Sequence, residues 1–152
     1  MADGGDAKTH KTRVVTDGPW AGWSAWVGDD FEDHTGPFYF RDDADGTVRC
    51  AFRAKKQHMN GSGNMHGGCM LTFADYALFM IGQKHMDGSA VTISLNGEFV
   101  GPAQLGDLVE ATGEVVRAGG SLIFMRGIIA TGGRTMMSFS GVVKKVRSRP
   151  AP

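Results

Sequence analysis

The sequence predicts an α+β domain: an antiparallel sheet covered by one long apolar helix. Two observations carry this reading. From Gly68 to Gln83, Asp75 is the single ionisable group expected to be charged, so this stretch is a core helix. Downstream, alternating apolar and polar runs are divided by Gly119-Gly120 and Gly132-Gly133, which read as hairpin turns. Successive hairpins make an antiparallel sheet, and a sheet with one apolar face needs a cover.

The helix is too short to cross a membrane, which takes roughly 20 apolar residues. At 100° per residue, Gly68, Thr72, Asp75, Tyr76, Phe79 and Gln83 share one face, and Cys69, Met70, Phe73, Ala74, Ala77, Met80 and Ile81 cover the other. A carboxylate inside such a helix is costly unless it is paired or used. The Gly67-Gly68 end offers free backbone N–H groups and the positive end of the helix dipole. Glycines there let another molecule come close to the backbone. That is an oxyanion site in outline. The plainer alternative is a glycine-rich helix entry with one buried, hydrogen-bonded aspartate.

The other elements follow in chain order. Residues 1–16 are polar and read as a flexible tail preceding a single domain over 17–152. Asp17-Gly18-Pro19 reads as a helix start. Trp20, Trp23 and Trp26 then lie along one side of a short Trp-rich helix. Such a helix packs its tryptophans on the domain or a neighbouring subunit, or sets one of them as a lid on an acyl or aryl pocket. Glu32-Asp33-His34 contains metal-ligand residue types, but adjacent side chains diverge, and a solvated loop is expected. Phe38–Arg41 is a strand, Asp45-Gly46 a hairpin turn, and Val48, Cys50, Phe52 and Ala54 alternate as a half-buried strand. The Asn60 loop and the helix come next. Asp87-Gly88 turns the chain into a strand with Val91, Ile93 and Leu95 on one side and Thr92, Ser94 and Asn96 on the other. Gly101-Pro102 and Gly106-Asp107 break it, and three strands follow near 108–117, 121–131 and 134–146.

Bulk properties narrow the function classes. The chain has 152 residues, and its 16 basic and 16 acidic residues cancel, so nothing in the overall charge suggests nucleic acid or an anionic membrane as partner. Cys50 and Cys69 sit in apolar settings and read as core residues in a reducing compartment. The N-terminus lacks an apolar signal segment, so a cytoplasmic location is expected. Gly61-x-Gly63-x-x-x-Gly67 imitates a dinucleotide fingerprint, but no parallel βαβ unit follows. No nucleophile elbow is present for a Ser-His-Asp hydrolase, and His58 and His66 have no recognised zinc spacing, so no metal is expected.

Asn60, His66-Gly67-Gly68 six residues on, and Asp75 nine residues after that histidine together resemble the PaaI-like branch of hotdog-fold acyl-CoA thioesterases. Val91–Asn96, followed by Gly101-Pro102-Ala103 and Gly106-Asp107, resembles that family's next strand and turn, and the similarity runs over roughly residues 37–146. The resemblance implies a curved sheet wrapped around the central helix and hydrolysis of an acyl- or aryl-CoA thioester. CoA enters as part of the substrate, with no other cofactor. It implies that the Gly67 N–H polarises the carbonyl and that Asp75 is general base or nucleophile. Asn60 orients water or thioester, His66 holds the loop and bonds the substrate, and Thr92 orients Asp75 or the water, with Ser94 in reserve. Gly68, Thr72, Tyr76 and Phe79 would line the substrate site.

Helical rise supplies a geometric expectation. Asp75 lies seven residues beyond Gly68, about 10 Å along one helix at 1.5 Å per residue. A base must reach the attacking water at about 3 Å. One helix cannot easily supply both ends, but two antiparallel helices can. A homodimer with shared active sites is expected, as the resemblance also implies, and a dimer of dimers is the further expectation. Two other readings stay open: a non-catalytic acyl-CoA-binding module, and a hydratase or dehydratase of acyl thioesters.

Overall fold

The computed structural model describes residues 11–146. Eight strands and two α-helices follow one another as β1 (Lys11–Val14), β2 (Ser24–Val27), α1 (Asp30–Thr35), β3 (Tyr39–Asp42), β4 (Val48–Arg53), α2 (Gly67–Gly82), β5 (Ala90–Phe99), β6 (Leu108–Ala118), β7 (Leu122–Thr131) and β8 (Arg134–Lys145). All pairings are antiparallel, in the order β1-β2-β3-β4-β6-β7-β8-β5. The alternating runs form strands where expected, and the glycine pairs make the tight turns. Gly46 takes φ 82° between β3 and β4, a left-handed conformation natural to glycine.

The apolar run becomes α2 as expected. Phe73, Ala74, Ala77 and Leu78 are wholly buried against strand residues such as Phe52, Val109, Ile129 and Met137. Burying a Leu or Phe side chain stabilises by about 1.5–3 kcal/mol, so this helix-on-sheet contact is a large stabilising term. Close approach depends on Gly141 in β8, where a Cβ would run into Leu78 of α2 and the Ser94 carbonyl. Within the core, Phe52 packs on Phe73 and Phe38 at ring-centroid distances of 4.7 and 5.0 Å.

The N-terminal third departs from expectation in three ways. Within the stretch expected as a tail, Lys11–Val14 is a strand; residues 1–10 lie outside the described residues. No Trp-rich helix forms. Trp20 ends a 3-10 turn, Gly22 reverses the chain at φ 86°, and Trp26 belongs to β2, which pairs with β1 and touches β3. Spacing of three does not distinguish a helical stripe from a strand entered through a glycine turn. Trp20 stacks on Tyr39 at 4.3 Å, and Arg41 lies over Trp23 at 4.4 Å. Finally, the acidic segment expected as a loop is helix α1. Asp29 caps it, its Oδ1 accepting from the Phe31 and Glu32 amides at 3.1 and 3.0 Å.

Among the described residues, the sheet has an edge strand at each end, β1 and β5. Strand β5 is ten residues long and forms an edge. It exposes Val91, Ile93 and Phe99 at 47%, 54% and 50%.

Candidate active site

The expected site residues fall into two groups on opposite stretches of α2. The first surrounds Asp75. Its half-buried carboxylate accepts the Thr92 hydroxyl on Oδ1 at 2.6 Å, a short, charge-assisted bond that holds the acid in one orientation. A β-bulge at Ile93 shifts the register of β5 between Thr92 and Ser94. Thr92 is therefore the residue that meets Asp75, while Ser94 takes a bond from Asn96 at 3.2 Å instead. Asp75, Thr92 and Phe79 line a cavity of about 530 Å³ whose apolar wall includes Trp26, Met80 and Met86. One of the three tryptophans thus does reach a pocket.

The second group is the entry to α2. His66 is the N-cap, and its Nδ1 accepts from the Gly68 N–H at 2.8 Å. That bond assigns the ring proton to Nε2, which is left to donate. The Gly68 amide is occupied by this cap, so Gly68 is not an oxyanion donor. The expectation of paired Gly67 and Gly68 donors is corrected to Gly67 alone. The Gly67 N–H has no acceptor among the described residues. It sits at the positive end of the helix dipole, and the Phe99 ring stands 3.4 Å from where a Gly67 Cβ would be.

Asn60 shapes the preceding loop. Its Oδ1 accepts from the Ser62 and Asn64 amides at 2.9 and 3.2 Å, leaving the Nδ2 hydrogens without an acceptor among the described residues. Thr72 bonds back to the Gly68 carbonyl at 2.9 Å and lines a second cleft with His66 and Gly68. Buried His58 clips this loop to α1. Its Nδ1 accepts from the Lys55 N–H at 2.9 Å and its Nε2 donates to the Thr35 carbonyl at 2.7 Å. Both bonds require the neutral ring, and burial holds its pKa below the usual histidine value.

Tyr76 does not join either group. It is 3% exposed among Phe38 and Phe73, with its hydroxyl 3.5 Å from the Phe38 carbonyl, so its assignment to the substrate site is corrected to the core. Its ring lies one helical step around from Asp75, far enough to turn inward. The cysteines carry no nucleophile: burial pushes both thiols up, Cys69 to about 11. Among the described residues, no group of ligands suited to a metal ion exists.

Sequence reasoning missed Glu32. It lines the Asp75 cavity from α1 together with Asp29. Burial, reinforced by the charges of Asp29, Asp75 and Asp33, pushes its carboxyl up to about 7. Proximity to Asp75 needed a tertiary contact that no local pattern encodes.

The comparisons with known proteins bear on this geometry. A family model described as the thioesterase superfamily matches residues 62–144, more than half of the chain and the whole span from the α2 entry to β8. The chain belongs to the thioesterase superfamily. A Pseudomonas aeruginosa protein with an esterase name is 34% identical over 112 residues, covering 72% of this chain and 84% of that one. Human acyl-coenzyme A thioesterase 13 is 30% identical over 82 residues, 53% of this chain and 59% of the relative. Among solved structures, the Escherichia coli PaaI protein superposes with a TM-score of 0.70 at 21% identity, covering 79% of this chain and 86% of that chain. The architecture is the hotdog fold of this superfamily, with the sheet wrapped on α2.

Proposed function

We propose that the protein hydrolyses an acyl- or aryl-CoA thioester to the free acid and CoA. The observation that carries this is the pairing of a Thr92-oriented carboxylate in a cavity with an unengaged Gly67 N–H at a helix N-terminus. Membership of the thioesterase superfamily and the likeness to an acyl-coenzyme A thioesterase support the substrate class.

In the proposed reaction, the thioester carbonyl oxygen takes a hydrogen bond from the Gly67 N–H, and the helix dipole adds to the polarisation. Asp75 removes a proton from water, the water oxygen bonds to the carbonyl carbon, and negative charge gathers on the oxyanion at Gly67. Collapse of that intermediate breaks the C–S bond. The His66 Nε2–H and the Asn60 Nδ2 hydrogens supply further donors around the thioester or the water. Phe79 and Trp26 contact the acyl or aryl group.

These parts belong to different stretches of one helix, so we infer an active site shared between two chains. Gly67 and Asp75 are eight positions apart in α2, about 12 Å at helical rise. Long unpaired edges invite pairing. Antiparallel pairing of β5 with a second copy would bury Val91 and Ile93, continue the sheet and bring two α2 helices together in opposite directions. Asp75 of one protomer would then serve the Gly67 end of its partner. Pairing of such dimers into tetramers, and a cytoplasmic location, belong to the same proposal.

A screen of about thirty acyl- and aryl-CoAs, followed by thiol release, tests the reading. Free thiol with loss of substrate is expected, at kcat values in the common range of about 1–10³ s⁻¹. Tight binding without turnover would instead identify a binding module, and loss of enoyl absorbance a hydratase.

A further inference from the structure

Taking thioester hydrolysis as the reaction, we propose that Glu32 is the general acid that protonates the departing CoA sulfur. Glu32, on α1, lines the same cavity as Asp75 of α2 and Thr92 of β5. Among the described residues, no lysine, arginine or histidine lines that cavity to neutralise its carboxylates. The charged groups that act on Glu32 are Asp29 at the α1 cap, Asp33 within α1 and Asp75 on α2, all acidic; the buried Cys50 on β4 and Tyr76 on α2 are in turn affected by Glu32. A carboxyl in such company keeps its proton, and burial with the neighbouring charges holds that proton to about pH 7.

The position is built rather than accidental. Asp29 caps α1 at its start. At its end, His58 holds the Thr35 carbonyl, and Gln57 Nε2 donates to the His34 and Gly36 carbonyls at 3.3 and 3.2 Å. A six-residue helix pinned at both ends fixes where its side chains point.

The proton account balances. Asp75 gains the proton lost by water as the C–O bond forms. The C–S bond breaks, its electron pair goes to sulfur, and Glu32 donates its proton there. The reaction leaves Asp75 protonated and Glu32 ionised, and transfer of the proton from Asp75 to Glu32 restores the starting state. A cysteine thiol has a reference pKa near 8.5, and the simple alkyl thiol of CoA is no more acidic, so its thiolate benefits from a donor titrating close to the working pH.

The test compares wild type and Glu32→Gln with two thioesters of the same acyl group, one of CoA and one of an acidic arylthiol that leaves without protonation. With the CoA ester, kcat/KM of the wild type is expected to fall above about pH 7 as Glu32 ionises. Glu32→Gln should lose about 100-fold in kcat below that pH, the lower end of a general-acid contribution, and should lack the alkaline limb. With the arylthiol ester, the two proteins should differ by less than about threefold and neither should show the limb. Equal losses with both esters, or an unchanged pH profile, would overturn the role. Should Glu32→Gln fail to fold, the wild type alone decides: an alkaline limb equally present with the arylthiol ester refutes the assignment. A wild type that releases no thiol removes the hydrolase reading as a whole, whereas turnover with a Glu32-independent profile removes this proposal alone.

Discussion

Asp75→Ala is expected to lower kcat by at least about 100-fold while the fold survives, because loss of a positioned general base costs about 10²–10⁴ in rate. The residue is well suited to this test. Its carboxylate is half-buried at a cavity wall, and its described hydrogen bond is to the Thr92 hydroxyl, which can turn to solvent when the acid is gone. Neighbours that hold α2 in place, such as the buried Phe73, Ala74 and Ala77, lie on the other side of the helix. KM should change little, since the base acts on water in the transition state rather than on bound substrate. Steady-state kinetics together with a thermal melt separates the two effects. Wild-type turnover in a folded Asp75→Ala protein would remove Asp75 from the chemistry.

Gly67→Pro probes the other half of the site and should lower kcat by about 10²–10³-fold, the usual cost of one oxyanion-hole donor. Proline deletes the N–H and nothing else that α2 needs. At the first helical position its missing donor has no intrahelical partner to lose, and its ring is pre-set for the helix. His66, at φ −65° and ψ 132°, already has the extended conformation that a residue before proline requires. The ring would press on Phe99, which is 50% exposed and has room to move. Gly67→Ala keeps the N–H and serves as the control, with a rate within several-fold of wild type. Equal rates in the proline and alanine variants would show that this amide does not hold the oxyanion.

Much of this molecule was legible before its coordinates. Period-two runs with glycine turns specify β3 to β8 locally, and an apolar run with one acid specifies α2. The Asn60, His66, Gly67 and Asp75 spacing picked out positions that the structure divides between the entry to α2 and its middle. What escaped depended on contacts between distant segments. Trp20, Trp23 and Trp26 share a spacing that a helix and a glycine-interrupted strand both satisfy, and pairing with β1 and β3 decides for the strand. Tyr76 and Asp75 are neighbours on a wheel, yet the Phe38, Phe52 and Phe73 rings draw the tyrosine inward. Glu32 reads as one acid in a polar stretch, because its meaning comes from sharing a cavity with Asp75. Gly68 looked like a donor until the His66 ring claimed its amide.

The shared site is tested most directly with mixed dimers. Differently tagged Asp75→Ala and Asn60→Ala chains are each expected to be nearly inactive alone. Co-expressed and purified through both tags, the heterodimer should carry one undamaged site of two and recover roughly half of the wild-type rate per dimer, as two-fold symmetry requires. A heterodimer as inactive as its parents would mean that Asp75 and Asn60 act within the same chain, and the two-chain site would be wrong.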